Sequence, residues 1–128
     1  MAEDGEAVAK SGDQVIGVDT HIVMIKESPV PMPLPFQGQL VRDLAGSVFV
    51  DEEAVAVVGS GADGVPHIPP GGPFQRQPSN KGTVSAGSGS VFVEEKSAAR
   101  DGDAVKCCND YVDSDTGHIM ANSTVFAG

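Results

Sequence analysis

At 128 residues the chain has room for one domain, and its formal net charge of -10, with only eight scattered Lys and Arg, excludes electrostatic binding of nucleic acid or an anionic membrane. Aromatics are 5% of the residues, Trp is absent, and 16 Gly with 9 Pro leave few large side chains for a core. So thin a core calls for a staple, whether a metal, a disulfide or a partner. The two cysteines, Cys107 and Cys108, are adjacent, which argues against an ordinary bridge between them and against a secreted disulfide framework.

The chain starts with Glu3, Asp4 and Glu6 where a signal peptide would carry a basic end and an apolar run. No Sec-type export is expected, synthesis is assigned to a reducing cytoplasm, and residues 1–6 are read as a disordered tail. The next segment, Ala7-Val8-Ala9-Lys10-Ser11-Gly12-Asp13, belongs to an internal repeat. It returns as Ala54-Val55-Ala56-Val57-Val58-Gly59-Ser60 and as Ser97-Ala98-Ala99-Arg100-Asp101-Gly102-Asp103. Ahead of the latter two stand Ser47-Val48-Phe49-Val50 and Ser90-Val91-Phe92-Val93, and the remaining copy is read at the far end as Ser123-Thr124-Val125-Phe126.

Each repeat reads as strand, turn, strand: Val-Phe-Val favours a strand, and Asp51-Glu52 and Glu94-Glu95 sit where a solvated turn belongs. No helical period runs for a useful length. The longest aliphatic stretch, Ala54 to Val58, is far below the roughly 20 residues of a membrane span. Two Pro-rich stretches, Glu27 to Phe36 and Val65 to Asn80, are expected as long connections, extended but without ladder bonds. The predicted fold is therefore all-β: one domain over 1–128 with three β-hairpins closing around a pseudo-threefold axis, the C-terminal strand pairing with the N-terminal one.

The string Ser97-Ala98-Ala99-Arg100 with Asp101-Gly102-Asp103 is similar to the Pro-Ala-Ala-Arg motif and Gly-Asp of the PAAR proteins. Gly17-Val18-Asp19-Thr20-His21-Ile22-Val23-Met24, Pro66-His67-Ile68-Pro69, Pro78-Ser79-Asn80-Lys81-Gly82 and Cys108-Asn109-Asp110 resemble the PAAR-like branch of contractile injection systems. These blocks cover the chain from about Gly12 onward. The resemblance implies a small conical domain with zinc near its apex and a flat base seated on a trimeric, VgrG-like spike protein, one tip per trimer. It implies no enzymatic activity for the tip. It also implies assembly at the end of an injection particle, transient contact with a target membrane, and room for effector cargo. Two departures stand out: Ser97 replaces the motif's Pro, and Pro33-Leu34-Pro35-Phe36 lacks a His that the branch carries just before its Phe-containing block.

Zinc in a structural site takes four ligands. His21, His67 and Cys108 follow corresponding points of the three repeats, eight residues after Asp13, seven after Ser60 and five after Asp103. A threefold arrangement would gather them at one end. For the fourth ligand His118 is chosen: it is the remaining imidazole, it begins a strand read as His118 to Phe126, and Gly117 permits close approach. Cys107 and a water molecule are its competitors, although neighbours on an extended chain face opposite ways. A bound water would leave an open position, and a small zinc-dependent hydrolase is accordingly the alternative reading. The acidic residues Asp51, Glu52, Glu53, Glu94 and Glu95 are assigned to solvated turns, and Asp13 and Asp103 to capping of nearby backbone amides. No phosphate loop, nucleophile elbow or His-Glu helix motif is present.

Overall fold

The computed structural model describes residues 5–128; the tail expected at the N-terminus lies outside them up to residue 4, and Glu6 already belongs to a strand. Among the described residues there is no helix. Twelve strands follow in order: β1 (Glu6–Ala7), β2 (Gln14–Ile25), β3 (Ser28–Arg42), β4 (Phe49–Val50), β5 (Glu53–Ala54), β6 (Gly61–Gly64), β7 (Lys81–Val84), β8 (Phe92–Val93), β9 (Lys96–Ser97), β10 (Ala104–Cys107), β11 (Ser114–Met120) and β12 (Phe126–Ala127). Six of them, β2, β3, β6, β7, β10 and β11, close an antiparallel barrel in sequence order, and the others form three two-stranded ladders, β12 with β1, β4 with β5 and β8 with β9.

The sequence repeat is thus one short ladder followed by one pair of barrel strands, three times over. The ladders β4–β5 and β8–β9 turn on Asp51-Glu52 and Glu94-Glu95, all four residues with positive φ, which matches the twist of a two-residue hairpin. In the third ladder Phe126 faces Ala7, as Phe49 faces Ala54 and Phe92 faces Ser97. The split copy is therefore Thr124-Val125-Phe126-Ala127, one residue later than the sequence reading placed it.

Backbone bonds link the three copies in a ring. The Ala9 N–H donates to Ala99 O at 2.8 Å, Ala99 N–H to Ala56 O at 3.0 Å, and Ala56 N–H to Ala9 O at 2.9 Å. All three alanines are fully buried where the copies converge. Just beyond, Gly12, Gly59 and Gly102 turn the chain at positive φ. Their N–H groups donate to Leu40, Val84 and Ile119, whose own N–H groups return bonds to Asp13, Ser60 and Asp103. The side chains of Asp13, Ser60 and Asp103 accept from the backbone amides of Lys10, Val57 and Arg100 at 2.9, 3.0 and 2.8 Å, the turn capping expected of the two aspartates.

The barrel is filled by Val15, Phe36, Leu40, Ala62, Val84, Val105, Cys107 and Ile119 around the alanine ring. One stretch expected as a connection is a strand: Glu27 to Phe36 is the turn and first half of β3, paired with β2 from Ile25↔Ser28 to Gly17↔Phe36. The prolines explain why this is allowed. Pro29, Pro31, Pro33 and Pro35 face Met24, Ile22, Thr20 and Val18, and the backbone groups of Thr20, Ile22 and Met24 bond away from β3, to Asn109, Asp110, Pro73 and Gln75. Each proline therefore stands where β3 needs no N–H toward β2. The second Pro-rich stretch remains a connection between β6 and β7, with a single bridge from Phe74 to Val23.

Candidate metal centre

β2 carries Val15, Gly17, Asp19, His21 and Val23 on one face, because side chains alternate along a strand. Asp19 and His21 thus enter the interior together, both almost completely buried. His67 arrives from the segment following β6 and Cys108 from the residue following β10. One donor atom from each of Asp19, His21, His67 and Cys108 lies within 4.8 Å of every other, close enough to hold one metal ion. Cys108 Sγ is 3.3 Å from Asp19 Oδ2 and 3.6 Å from His21 Nε2, and the His67 Nε2–H donates to Asp19 Oδ2 at 3.0 Å.

The structure brings together three of the sequence-derived ligands, His21, His67 and Cys108. His118 stands elsewhere. It sits inside β11, which runs from Ser114 to Met120 rather than from His118 to Phe126, opposite Ala104 and Ile16. Gly117 and Ile119 are the inward residues there, so alternation turns His118 out to solvent. Cys107 is not one of the four clustered donors either. Its thiol packs in the barrel between the backbones of Gly82 and Gly117, the place of a small apolar residue.

Asp19 is the donor that the sequence reading passed over. The signal was the i, i+2 spacing to His21 within a strand whose odd positions are otherwise Val, Gly and Val. A carboxylate there accepts from both His67 and Cys108, so it is partnered within the cluster.

Burial shapes the chemistry of these groups. It lowers the pKa of His21, with the neighbouring His67 acting the same way against the opposing pull of Asp110 and Asp19, so the ring is neutral at pH 7 and free to ligate. The Cys108 thiol is pushed up to about 11 by burial and by the charge and hydrogen bond of Asp19, and Cys107 to about 12, burial first. A cation must therefore displace the proton of Cys108 to bind its sulfur.

A second tier surrounds His21. Its Nδ1 is 3.6 Å from Asp110 Oδ1, and both side chains are 1% exposed. Asp110 Oδ2 accepts the Ile22 N–H at 2.8 Å, while Arg76 reaches Oδ1 at 2.8 Å. Burial alone would raise the Asp110 pKa, yet the Ile22 and Arg76 bonds with the nearby imidazole leave it below the ordinary carboxylate value. Phe74 closes the far side of His21 edge-on, at 5.9 Å between centroids.

No protein-family model matches the chain, and no curated protein matches it in sequence.

Proposed function

We propose that the protein is a PAAR-like spike tip: a small cone pinned by one zinc ion, which caps a trimeric, VgrG-like spike of a contractile injection machine and punctures the target envelope ahead of it. The observation that carries the reading is the threefold repetition of one apolar feature. Phe49, Phe92 and Phe126, at the same place in the three ladders, are 60%, 59% and 62% exposed, with Val48, Val91 and Val125 beside them. Three like surfaces about one axis suit three identical subunits, so a single chain can satisfy a whole trimer.

The metal half of the proposal rests on the donor set. Tetrahedral zinc with bonds of about 2.0–2.3 Å holds its ligands roughly 3.3–3.8 Å apart; the contacts His67–Asp19, Cys108–Asp19 and Cys108–His21, at 3.0, 3.3 and 3.6 Å, lie near that range, and every other pair of donors falls within 4.8 Å. Two neutral imidazoles with one thiolate and one carboxylate would make a complex of zero net charge, the arrangement least costly to bury. Four protein donors with almost no exposed side-chain surface favour a closed, structural ion over the hydrolase alternative, which needs an open position for water. Asp19 and His21 lie within β2, His67 after β6 and Cys108 after β10, each several residues beyond the ladder that precedes its strand, and this reading takes their end of the barrel as the apex.

The test is association with the cognate trimeric spike protein, read by native mass measurement. One chain per trimer is expected, lost in the triple variant Phe49→Asp, Phe92→Asp, Phe126→Asp. A three-to-three complex, or no complex for the unaltered chain, would overturn the reading.

A further inference from the structure

We propose that Asp110 is a positioning residue of the metal centre: its carboxylate accepts a hydrogen bond from the Nδ1–H of His21, fixing the tautomer that presents Nε2 to the ion, and Arg76 holds that carboxylate from outside. The inference rests on the metal-site reading above and goes beyond it.

The argument starts from an unpartnered atom. Among the described residues, His21 Nδ1 is the one buried side-chain nitrogen or oxygen with no hydrogen bond. Such an atom costs free energy unless something is aimed at it. The ring stands with Nε2 toward Cys108 and Nδ1 toward Asp110, so the two nitrogens face different chemistry. A neutral imidazole that ligates through Nε2 must carry its proton on Nδ1, and an acceptor there orients the ring and makes Nε2 a better donor.

Asp110 is built to stay in that place. Its backbone N–H donates to Thr20 O at 2.8 Å, and the neighbouring Asn109 Oδ1 accepts the Thr20 N–H at 2.7 Å, so the segment lies along β2 like an extra strand. Oδ2 is committed to the Ile22 N–H. Oδ1, the oxygen facing His21, is also the one that Arg76 grips through Nε at 3.1 Å as well as through its terminal nitrogen. Arg76 donates further to Asn109 O at 3.0 Å, and its side chain is half exposed, so it is anchored to the segment it clamps. The guanidinium supplies the charge that lets a carboxylate remain ionised next to a buried ring.

The test uses the full chain and zinc ion alone, with two readouts: zinc affinity by competition with a chelator, and the protonation of the His21 ring by nitrogen–proton NMR of the zinc-loaded protein. Expected for the unaltered chain is a slowly exchanging, downfield proton on Nδ1 and none on Nε2. Asp110→Asn keeps the shape and an oxygen for Ile22. It should lower zinc affinity about 10–100-fold, the usual cost of removing such an outer partner, and shift the Nδ1 proton upfield. Arg76→Ala, at a half-exposed position, should move both readouts the same way by less, and it decides the matter if Asp110→Asn does not fold. A ring protonated on Nε2, or variants with unchanged affinity and an unmoved proton, would overturn the inference and leave the metal site standing. A chain that takes up no zinc would overturn both.

Discussion

The two ends of the molecule are held by different kinds of interaction. At the ladder end the same backbone bonds recur three times: the ring of Ala9, Ala56 and Ala99, the turns at Gly12, Gly59 and Gly102, and the capping by Asp13, Ser60 and Asp103. Side chains reinforce the ring from outside. The Glu94 carboxylate accepts from the Ser47 amide at 2.8 Å, Asp51 accepts from the Thr124 amide at 3.1 Å, and Gly128 O accepts from the Ser90 hydroxyl at 3.3 Å. Each ladder thus grips the next. At the other end the threefold relation survives only in the chain positions of His21, His67 and Cys108, and cohesion depends on buried polar side chains around one point. Regularity lets the first end stand on main-chain geometry, whereas the second needs specific chemistry.

The largest expected effect lies at the metal end. If zinc binds with the roughly 10–16 kcal/mol of structural sites shared over four ligands, Asp19→Ala should lower its affinity on the order of a hundredfold or more. His118→Ala should leave it unchanged, and a chelator titration of the two variants side by side checks both. Equal losses would mean that the ligand set is wrong.

At the ladder end, Ala99→Leu forces a branched side chain onto the axis where Ala9 and Ala56 already meet. Overpacking of this kind costs about 1–3 kcal/mol, to be read from denaturant unfolding of the zinc-loaded protein. The same change should lower zinc affinity far less than Asp19→Ala does, because the ring alanines share a core with Cys108 but supply no donor.

Acidity separates the ends more gently. Without metal, His21 has a folded pKa below its ordinary 6.5, so the unfolded chain binds more protons and stability falls as pH drops below about 6.5. Cys108 has a folded pKa raised from 9.0 to about 11, so stability also falls as pH rises from about 9 toward about 11. Thermal unfolding of the metal-free chain should show a plateau between these limits. Cys108→Ala should remove part of the alkaline loss, leaving the part due to Cys107, whose thiol is raised to about 12.

The smallest effect belongs to the turn of the long β2–β3 hairpin, where Lys26 and Glu27 both adopt positive φ at 51° and 67°. Replacing the pair by Asn-Gly, the residues such turns favour, should stabilise by about 0.5–1 kcal/mol with no change in metal binding.

The contrast also explains what could be read from the sequence. Repeats that specify backbone geometry leave literal traces, and the returning Val-Phe-Val segments with their acidic turn pairs point to the ladders. The split copy slipped by one residue because matching Ser123 to Ser47 ignored the Phe that every copy turns outward. His118 is governed by its neighbour: Ile119 takes the interior, and alternation then sends the imidazole to solvent. Asp19 and Asp110 stand inside the blocks Gly17 to Met24 and Cys108 to Asp110, yet nothing in those strings marks either as a partner of His21. Their placement comes from sharing a face with His21 and from a contact 88 residues away in sequence, between Asp110 and Ile22, which no local pattern encodes. The barrel itself stayed hidden for a related reason: β6, β7 and β10 are four residues each, and β3 is written largely in prolines.

Those prolines have an effect beyond permitting the strand. From Ser28 to Phe36 the outer edge of β3 pairs with no other strand among the described residues, and at Pro29, Pro31, Pro33 and Pro35 it offers carbonyls but no N–H. A foreign strand arriving there finds half of the ladder missing and cannot anneal. This long β-edge is in this sense mute, able to slide past other β-structure at high local concentration without zipping onto it.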